Sequence, residues 1–314
     1  MLLQLIRKYS SGKLWQEVAI PVPWGEIRGK WWGPTDIRPV LTLHGWQDNC
    51  GSFDRLIPLL PDNMSFLTID LPGHGYSSRL PSGLHYNLSS YLVTLKYLTN
   101  YMKWKQVSLM GHSMGGLLCY TYTMMYPKSV DFLACIDGLI LFNYLDLMAK
   151  AIEDFPKNNQ FSFDKVESPS YFIEEIKQKI HKPHGGSIDL TNTEFIMHRN
   201  VALSQTNPGK YYFTRDPRLK SVDLYTFSQE EYIRHSPNIS CPVFLSKFTQ
   251  RMFAKEIFQE LKRVLQKSEA HIVEGTHHGH LNNPERHAVL LKGFFDRFEL
   301  DKNRSKEVRE EIFV

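Results

Sequence analysis

Apolar residues along this chain recur in two alternating patterns. Short, nearly continuous apolar runs at Val40-Leu41-Thr42-Leu43, Gln106-Val107-Ser108-Leu109-Met110 and Phe132-Leu133-Ala134-Cys135-Ile136 read as strands covered on both faces. Between them lie stretches with helical spacing: Leu88, Leu92, Leu95 and Leu98 in residues 88–101, and Leu117, Leu118, Tyr120 and Met124 in residues 116–126. Residues 53–60 read as a further helix stopped by Pro61, and 65–70 as a strand running into the turn Leu71-Pro72-Gly73-His74-Gly75. Residues 17–21 and 25–32, joined through Pro23-Trp24-Gly25, predict an antiparallel hairpin. Strand and helix alternate as in βαβ units, which predicts a mostly parallel sheet with helices on both faces. Its chemistry should then sit in loops at the carboxyl ends of the strands.

The pattern changes from residue 142 to 238, where charged, helix-like stretches such as 171–180 are broken by Pro183-His184-Gly185-Gly186 and Asn207-Pro208-Gly209. This predicts a helical cap inserted between a first core part, 13–141, and a second, 239–300. The second core part holds strand-like runs at 243–246 and 270–273 and a closing helix at 286–298. Residues 301–314 are mostly charged and read as an exposed tail. Residues 1–12 are basic and apolar, with no acid before Glu17, and resemble a mitochondrial targeting segment. An intracellular protein, cytoplasmic or mitochondrial, is expected.

Composition narrows the function classes. The 314 residues are 42% hydrophobic and 22% charged, which is ordinary for a globular chain. Thirty-seven basic against 33 acidic residues give +4 without a long basic block, so nucleic acid is a poor partner. Cys50, Cys119, Cys135 and Cys241 lie far apart, with neither metal-ligand spacing nor the density of a disulfide scaffold. No apolar run approaches the roughly 20 residues of a membrane span.

One pentapeptide carries specific chemistry. Gly111-His112-Ser113-Met114-Gly115 lies between a predicted strand and a predicted helix, the context in which G-x-S-x-G forms a sharp turn that holds the serine hydroxyl outward. Ser113 is therefore the expected nucleophile, with the backbone N–H of Met114 as one oxyanion donor. A serine hydroxyl needs a base, usually histidine. His277, His278 and His280 compete for that role after the last predicted strand. A metal-binding histidine cluster is the other reading of that stretch, but the ligands lack a recognisable helical or knuckle spacing, and no metal and no cofactor is expected.

These motifs resemble the α/β-hydrolase family. Gly275-Thr276-His277, with Pro284-Glu285 seven and eight positions on, matches the form of its last catalytic motif and favours His277 as base. His44-Gly45-Trp46-Gln47-Asp48 looks like the family's H-G loop, which implies the backbone N–H of Trp46 as the second oxyanion donor. Within this resemblance His44, Gly45, Asp48, His112 and His280 are expected around the substrate, and Asp70 in a structural turn. The family acid usually follows the first strand after the cap, where this chain has Ser246 to Met252 and no carboxylate. Some family members place the acid one strand earlier, which points to Asp137 in Cys135-Ile136-Asp137-Gly138; a turn-capping role for Asp137 is the alternative. The segments 44–49, 52–60, 73–78 and around His277 together look like the animal serine hydrolase-like proteins.

The resemblance implies hydrolysis of a small apolar acyl compound, most simply a carboxylic ester, through Ser113, Asp137 and His277. Epoxide hydrolase and dehalogenase chemistry would need a carboxylate where Ser113 stands. Thioesters, amides and carbon–carbon bonds remain open because the same triad serves each. A non-catalytic ligand binder of the same fold is the competing class, motivated by the missing carboxylate near Gln250.

Overall fold

In the computed structural model of the protein, residues 13–138, 145–163, 168–182, 185–221, 227–250, 255–301 and 309–314 are described. The targeting segment read at 1–12 lies outside them.

Eight strands form one sheet. In chain order they are β1 (Trp15–Val22), β2 (Gly25–Trp32), β3 (Val40–Leu43), β4 (Phe66–Ile69), β5 (Val107–His112), β6 (Val130–Ile136), β10 (Val243–Phe248) and β11 (Ser268–Val273). Their order across the sheet is β1-β2-β4-β3-β5-β6-β10-β11. The β1–β2 and β2–β4 pairs are antiparallel, and every pair from β4 to β11 is parallel. The short strands β3 and β4 and the longer β5 are buried at every position, which explains their continuous apolar runs.

Helices α1 (Leu88–Tyr101) and α2 (Met114–Met125) cover one face; Leu95, Leu98, Leu117 and Leu118 pack there with Leu41, Leu43 and Leu109. Asn87 caps α1, its side chain accepting from the Ser90 N–H while Ser90 reaches back to the Asn87 N–H. The other face packs Phe53, Ile57, Phe294 and Phe295 against Met110, Phe132 and Phe244. Residues 53–60, expected as one helix, hold instead parts of two 3-10 turns, Cys50–Phe53 and Ile57–Leu59. Pro58 and Pro61 leave too little chain for an α-helix.

Between β6 and β10 lie α3 (Leu145–Phe163), α4 (Ile173–His181), α5 (Thr193–Asn200) and α6 (Gln229–His235). They are not alone: β7 (Ser170–Tyr171), β8 (Val201–Leu203) and β9 (Tyr211–Phe213) form a small antiparallel sheet, so this insertion is mixed rather than wholly helical. Asn207-Pro208-Gly209 makes the turn between β8 and β9, with Gly209 at φ 76. Arg199 of α5 fastens the insertion to the core: Nε donates to Asp70 Oδ2 at 2.8 Å and the two Nη groups to both Glu17 oxygens at 2.9 and 2.8 Å. Helices α7 (Lys255–Val264), α8 (Gly279–Asn282) and α9 (Pro284–Arg297) complete the core.

The last residues depart from an exposed tail. Ile312 is fully buried and Phe313 bridges Val18 of β1 while meeting Trp31 edge-on. Burying Ile312 and part of Phe313 favours this docking despite the charge of the residues before them. All four cysteines are buried free thiols. Among the described residues no helix is long and apolar enough to cross a membrane.

Candidate active site

Ser113 stands between β5 and α2 with φ 53 and ψ −120, a conformation that costs a non-glycine residue roughly 1–3 kcal/mol. The fold holds it there by close approach. A Cβ on Gly115 would come within 2.1 Å of the Leu43 carbonyl oxygen, and one on Gly111 within 2.3 Å of Gly115. The Ser113 N–H donates to Ile136 O at 3.0 Å, tying the turn to the end of β6. Met114 is the first residue of α2, where backbone N–H groups have no acceptor within the helix.

His277 lies in the loop after β11. Its Nε2 is 2.8 Å from Ser113 Oγ and its Nδ1 is 2.6 Å from Asp137 Oδ2. Asp137 follows β6 at φ 47, with its own N–H donating to Ser246 O at 2.8 Å and the Phe248 N–H donating to Oδ1 at 3.4 Å. Because Ile136 pairs with Ser246, the end of β6 and the end of β10 lie side by side. A carboxylate after either strand can therefore reach the same imidazole, and here it comes from β6.

The histidines around this trio serve as its frame. His112, fully buried, donates from Nε2 to the His277 carbonyl at 2.8 Å, which leaves Nδ1 3.7 Å from Asp48 Oδ2. His278 Nε2 donates to the same Asp48 oxygen at 3.2 Å while Nδ1 accepts from Ser187 Oγ at 2.8 Å. His280 Nε2 meets Ser52 Oγ at 2.8 Å, and burial, then the neighbouring His112 and His278, push its pKa far down. Asp48, His112 and His280 are all buried, so the protein, rather than an open pocket, surrounds the side chains expected at the substrate. Asp48, His112 and His278 are the described residues that could hold a metal, offering one ligand atom each within 4.8 Å of one another.

The His44–Asp48 loop is braced from below. His44, fully buried, accepts the Leu71 N–H at Nε2 (2.9 Å) and so donates from Nδ1 to Gly45 O (2.7 Å). Both nitrogens are spent on backbone, which makes His44 a positioning residue. His74 does the same one loop over, accepting the Gln47 N–H at 3.2 Å and donating to Pro72 O at 3.1 Å; burial pushes its pKa down to about 3, so it stays neutral. A Cβ on Gly45 would lie 3.2 Å from Ser113 Cβ, so this loop passes directly against Ser113. Trp46 is partly exposed, its indole N–H donating to Leu219 O at 2.7 Å across to the insertion. Asp70 is structural: burial opposes its charge, but Arg199 and the N–H groups of Cys50 and Tyr76 hold its carboxyl below the usual range.

Ser52, Ser187 and Ser246, which anchor these side chains and Asp137, had no local sequence signal. Each acts through a partner at least 91 positions away.

Comparisons with known proteins bear on the family and the fold. A family model for the α/β hydrolase fold matches residues 38–241. The chain is similar to a probable serine hydrolase of Drosophila melanogaster, 35% identical over 303 residues that cover 89% of this chain and 87% of the relative. It is 31% identical to a serine hydrolase-like protein of Danio rerio over 302 residues, 92% of this chain and 91% of that one. Among solved structures, a hypothetical protein of Pseudomonas aeruginosa PAO1 superposes with a TM-score of 0.75 at 29% identity, covering 91% of this chain and 99% of that one.

Proposed function

This chain belongs to the α/β-hydrolase fold family, and from that premise we propose that it is a serine hydrolase of acyl compounds, most simply carboxylic esters, acting through Ser113, His277 and Asp137. The observation that carries the reading is the continuous line Ser113 Oγ, His277 Nε2, His277 Nδ1, Asp137 Oδ2, with contacts of 2.8 and 2.6 Å. The order of events follows from the proton positions. Asp137 accepts a hydrogen bond from the His277 Nδ1–H, so Nε2 presents a lone pair to the Ser113 hydroxyl and takes its proton as the oxygen attacks the acyl carbon. The imidazolium then protonates the departing group, and water activated by the same His277 releases the acyl-enzyme.

Negative charge on the former carbonyl oxygen would be met by the N–H groups of Met114, at the start of α2, and Trp46, in the loop against Ser113. One such donor is worth roughly 3–4 kcal/mol in the transition state. His112, Asp48 and His278 act behind this assembly by holding the His277 loop.

Labelling with a fluorophosphonate tests the reading, with a substrate panel beside it. Rapid labelling of the wild type, lost in Ser113→Ala while the circular dichroism spectrum is kept, is the expected result. An unlabelled wild-type protein that still binds acyl ligands would replace the hydrolase reading with a binding role.

A further inference from the structure

Four arginines lie in the insertion; Arg199 and Arg218 are consumed by the fold, and Arg234 stands exposed beside Glu231. Arg199 is shared between Asp70 and Glu17. Arg218 holds Asp216 at 2.7 Å and donates to the carbonyls of Leu80, Pro81 and Leu84. Arg215 differs. It is only partly exposed, its guanidinium lies 4.2 Å over the Phe213 ring, and it forms no hydrogen bond or ion pair with any described residue. Burial pushes its pKa down to about 10 against the pull of Asp48, so the charge is carried in a partly desolvated place. An enclosed charge without a paired acid is costly to keep, and structures keep one where something else supplies the counter-charge.

Its position relates it to the nucleophile. The Thr214 N–H donates to Asn200 O, and the Asp216 N–H to Gly73 O, both at 2.9 Å, so the backbone on each side of Arg215 is pinned. Asn200 in turn donates to Gln47 O at 3.2 Å, and Leu219 O accepts the Trp46 indole N–H at 2.7 Å. Residues 214–219 thus lie along the loop that runs past Ser113. The surroundings are basic: burial first, then the positive charges of Arg215, Lys157 and Lys179, push the Lys220 ammonium below its usual range. These cations together draw an anionic ligand.

We propose that Arg215 anchors an oxyanion, a carboxylate or a phosphate, carried by the substrate of the Ser113 site, so that anionic acyl compounds are selected over neutral ones of equal length. This rests on the hydrolase reading above. The guanidinium would hold the charged end of the substrate through paired N–H donors.

Two assays separate this selection from hydrolysis itself. In the first, kcat/KM is compared for 4-nitrophenyl pentanoate and the 4-nitrophenyl monoester of glutaric acid, which share the five-carbon acyl chain but differ in a terminal carboxylate. The wild type should favour the anionic ester by about tenfold to a hundredfold, as expected for a charge-assisted pair. Arg215→Met should abolish that preference while leaving the neutral ester within about threefold, and Arg215→Lys should restore part of it. Equal loss on both esters in a folded Arg215→Met protein, or no preference in the wild type, overturns the proposal.

In the second assay, glutarate and butyl phosphate are titrated calorimetrically into wild type and both variants. Binding weakened about tenfold or more by Arg215→Met supports the anchor, and the tighter of the two ligands identifies carboxylate or phosphate. Unchanged binding overturns it. Should the wild type hydrolyse neither ester, the hydrolase reading fails by that result, and the titration still decides the role of Arg215.

Discussion

Replacing Asp137 by asparagine keeps the shape of the side chain and removes its charge, and the structure says which way the new amide will turn. The Phe248 N–H donates to Oδ1 at 3.4 Å, and His277 Nδ1 lies 2.6 Å from Oδ2. An asparagine best satisfies the Phe248 donor by placing its oxygen at the Oδ1 position, which puts its NH2 group against Nδ1. The imidazole must then present a lone pair there and carry its proton on Nε2, facing Ser113 Oγ, where it can no longer act as base. Loss of charge adds to this. An imidazolium and a carboxylate about 4 Å apart between charge centres interact by about 4 kcal/mol at an effective dielectric of about 20. That alone is about a thousandfold in rate, and the wrong tautomer extends the loss to about ten-thousandfold.

Steady-state turnover of an activated 4-nitrophenyl ester and the rate of fluorophosphonate labelling should fall together. Asp137→Ala is the control: it removes the charge but imposes no tautomer, so it should be no slower than Asp137→Asn. Turnover of Asp137→Asn within tenfold of wild type would refute the assignment of the acid. An asparagine variant much faster than the alanine one would refute the amide orientation.

Other outcomes follow from the same geometry. His277→Ala should lose nearly as much rate as Ser113→Ala, whereas His278→Ala and His280→Ala should keep turnover within about tenfold yet lose about 2–4 kcal/mol of stability in urea titrations, because Asp48, Ser187 or Ser52 is left without its buried partner. A histidine exchange with the opposite ranking would move the base to a neighbour. Burial holds His74 and His287 neutral, each pushed down to about 3, against about 6.5 in the unfolded chain. Their folded-state pKa values are depressed, so stability is fully present above pH of about 6.5 and falls as pH drops from there toward 3, by up to about 1.4 kcal/mol per pH unit for each. A urea midpoint that stays flat between pH 6.5 and 5 contradicts this.

Much of this arrangement could be read from local patterns. Apolar runs and helical spacing set the βαβ order, because a strand covered on both faces and a helix covered on one leave different periods in the chain. The residues 88–101 form α1 as the spacing of Leu88, Leu92, Leu95 and Leu98 predicts. Ser113 was legible for the same reason: the turn that strains it needs small residues at 111 and 115, and both are adjacent in sequence. His277 could be singled out only by resemblance, since His278 and His280 offer the same side chain within three residues.

What the tertiary structure alone decided is which distant groups meet. Asp137 could be named beforehand only through the family resemblance; it reaches His277 because β6 lies between β5, which leads into Ser113, and β10, a neighbour relation no residue near Asp137 encodes. Four polar side chains expected to face substrate, His44, Asp48, His112 and His280, turned inward instead, since each found its hydrogen-bonding partners on loops brought together by the sheet. The small sheet of the insertion and the docking of Ile312 and Phe313 onto β1 were equally hidden. Two- or three-residue strands leave almost no periodicity, and two apolar residues in a charged stretch gain their meaning only from the surface they dock on.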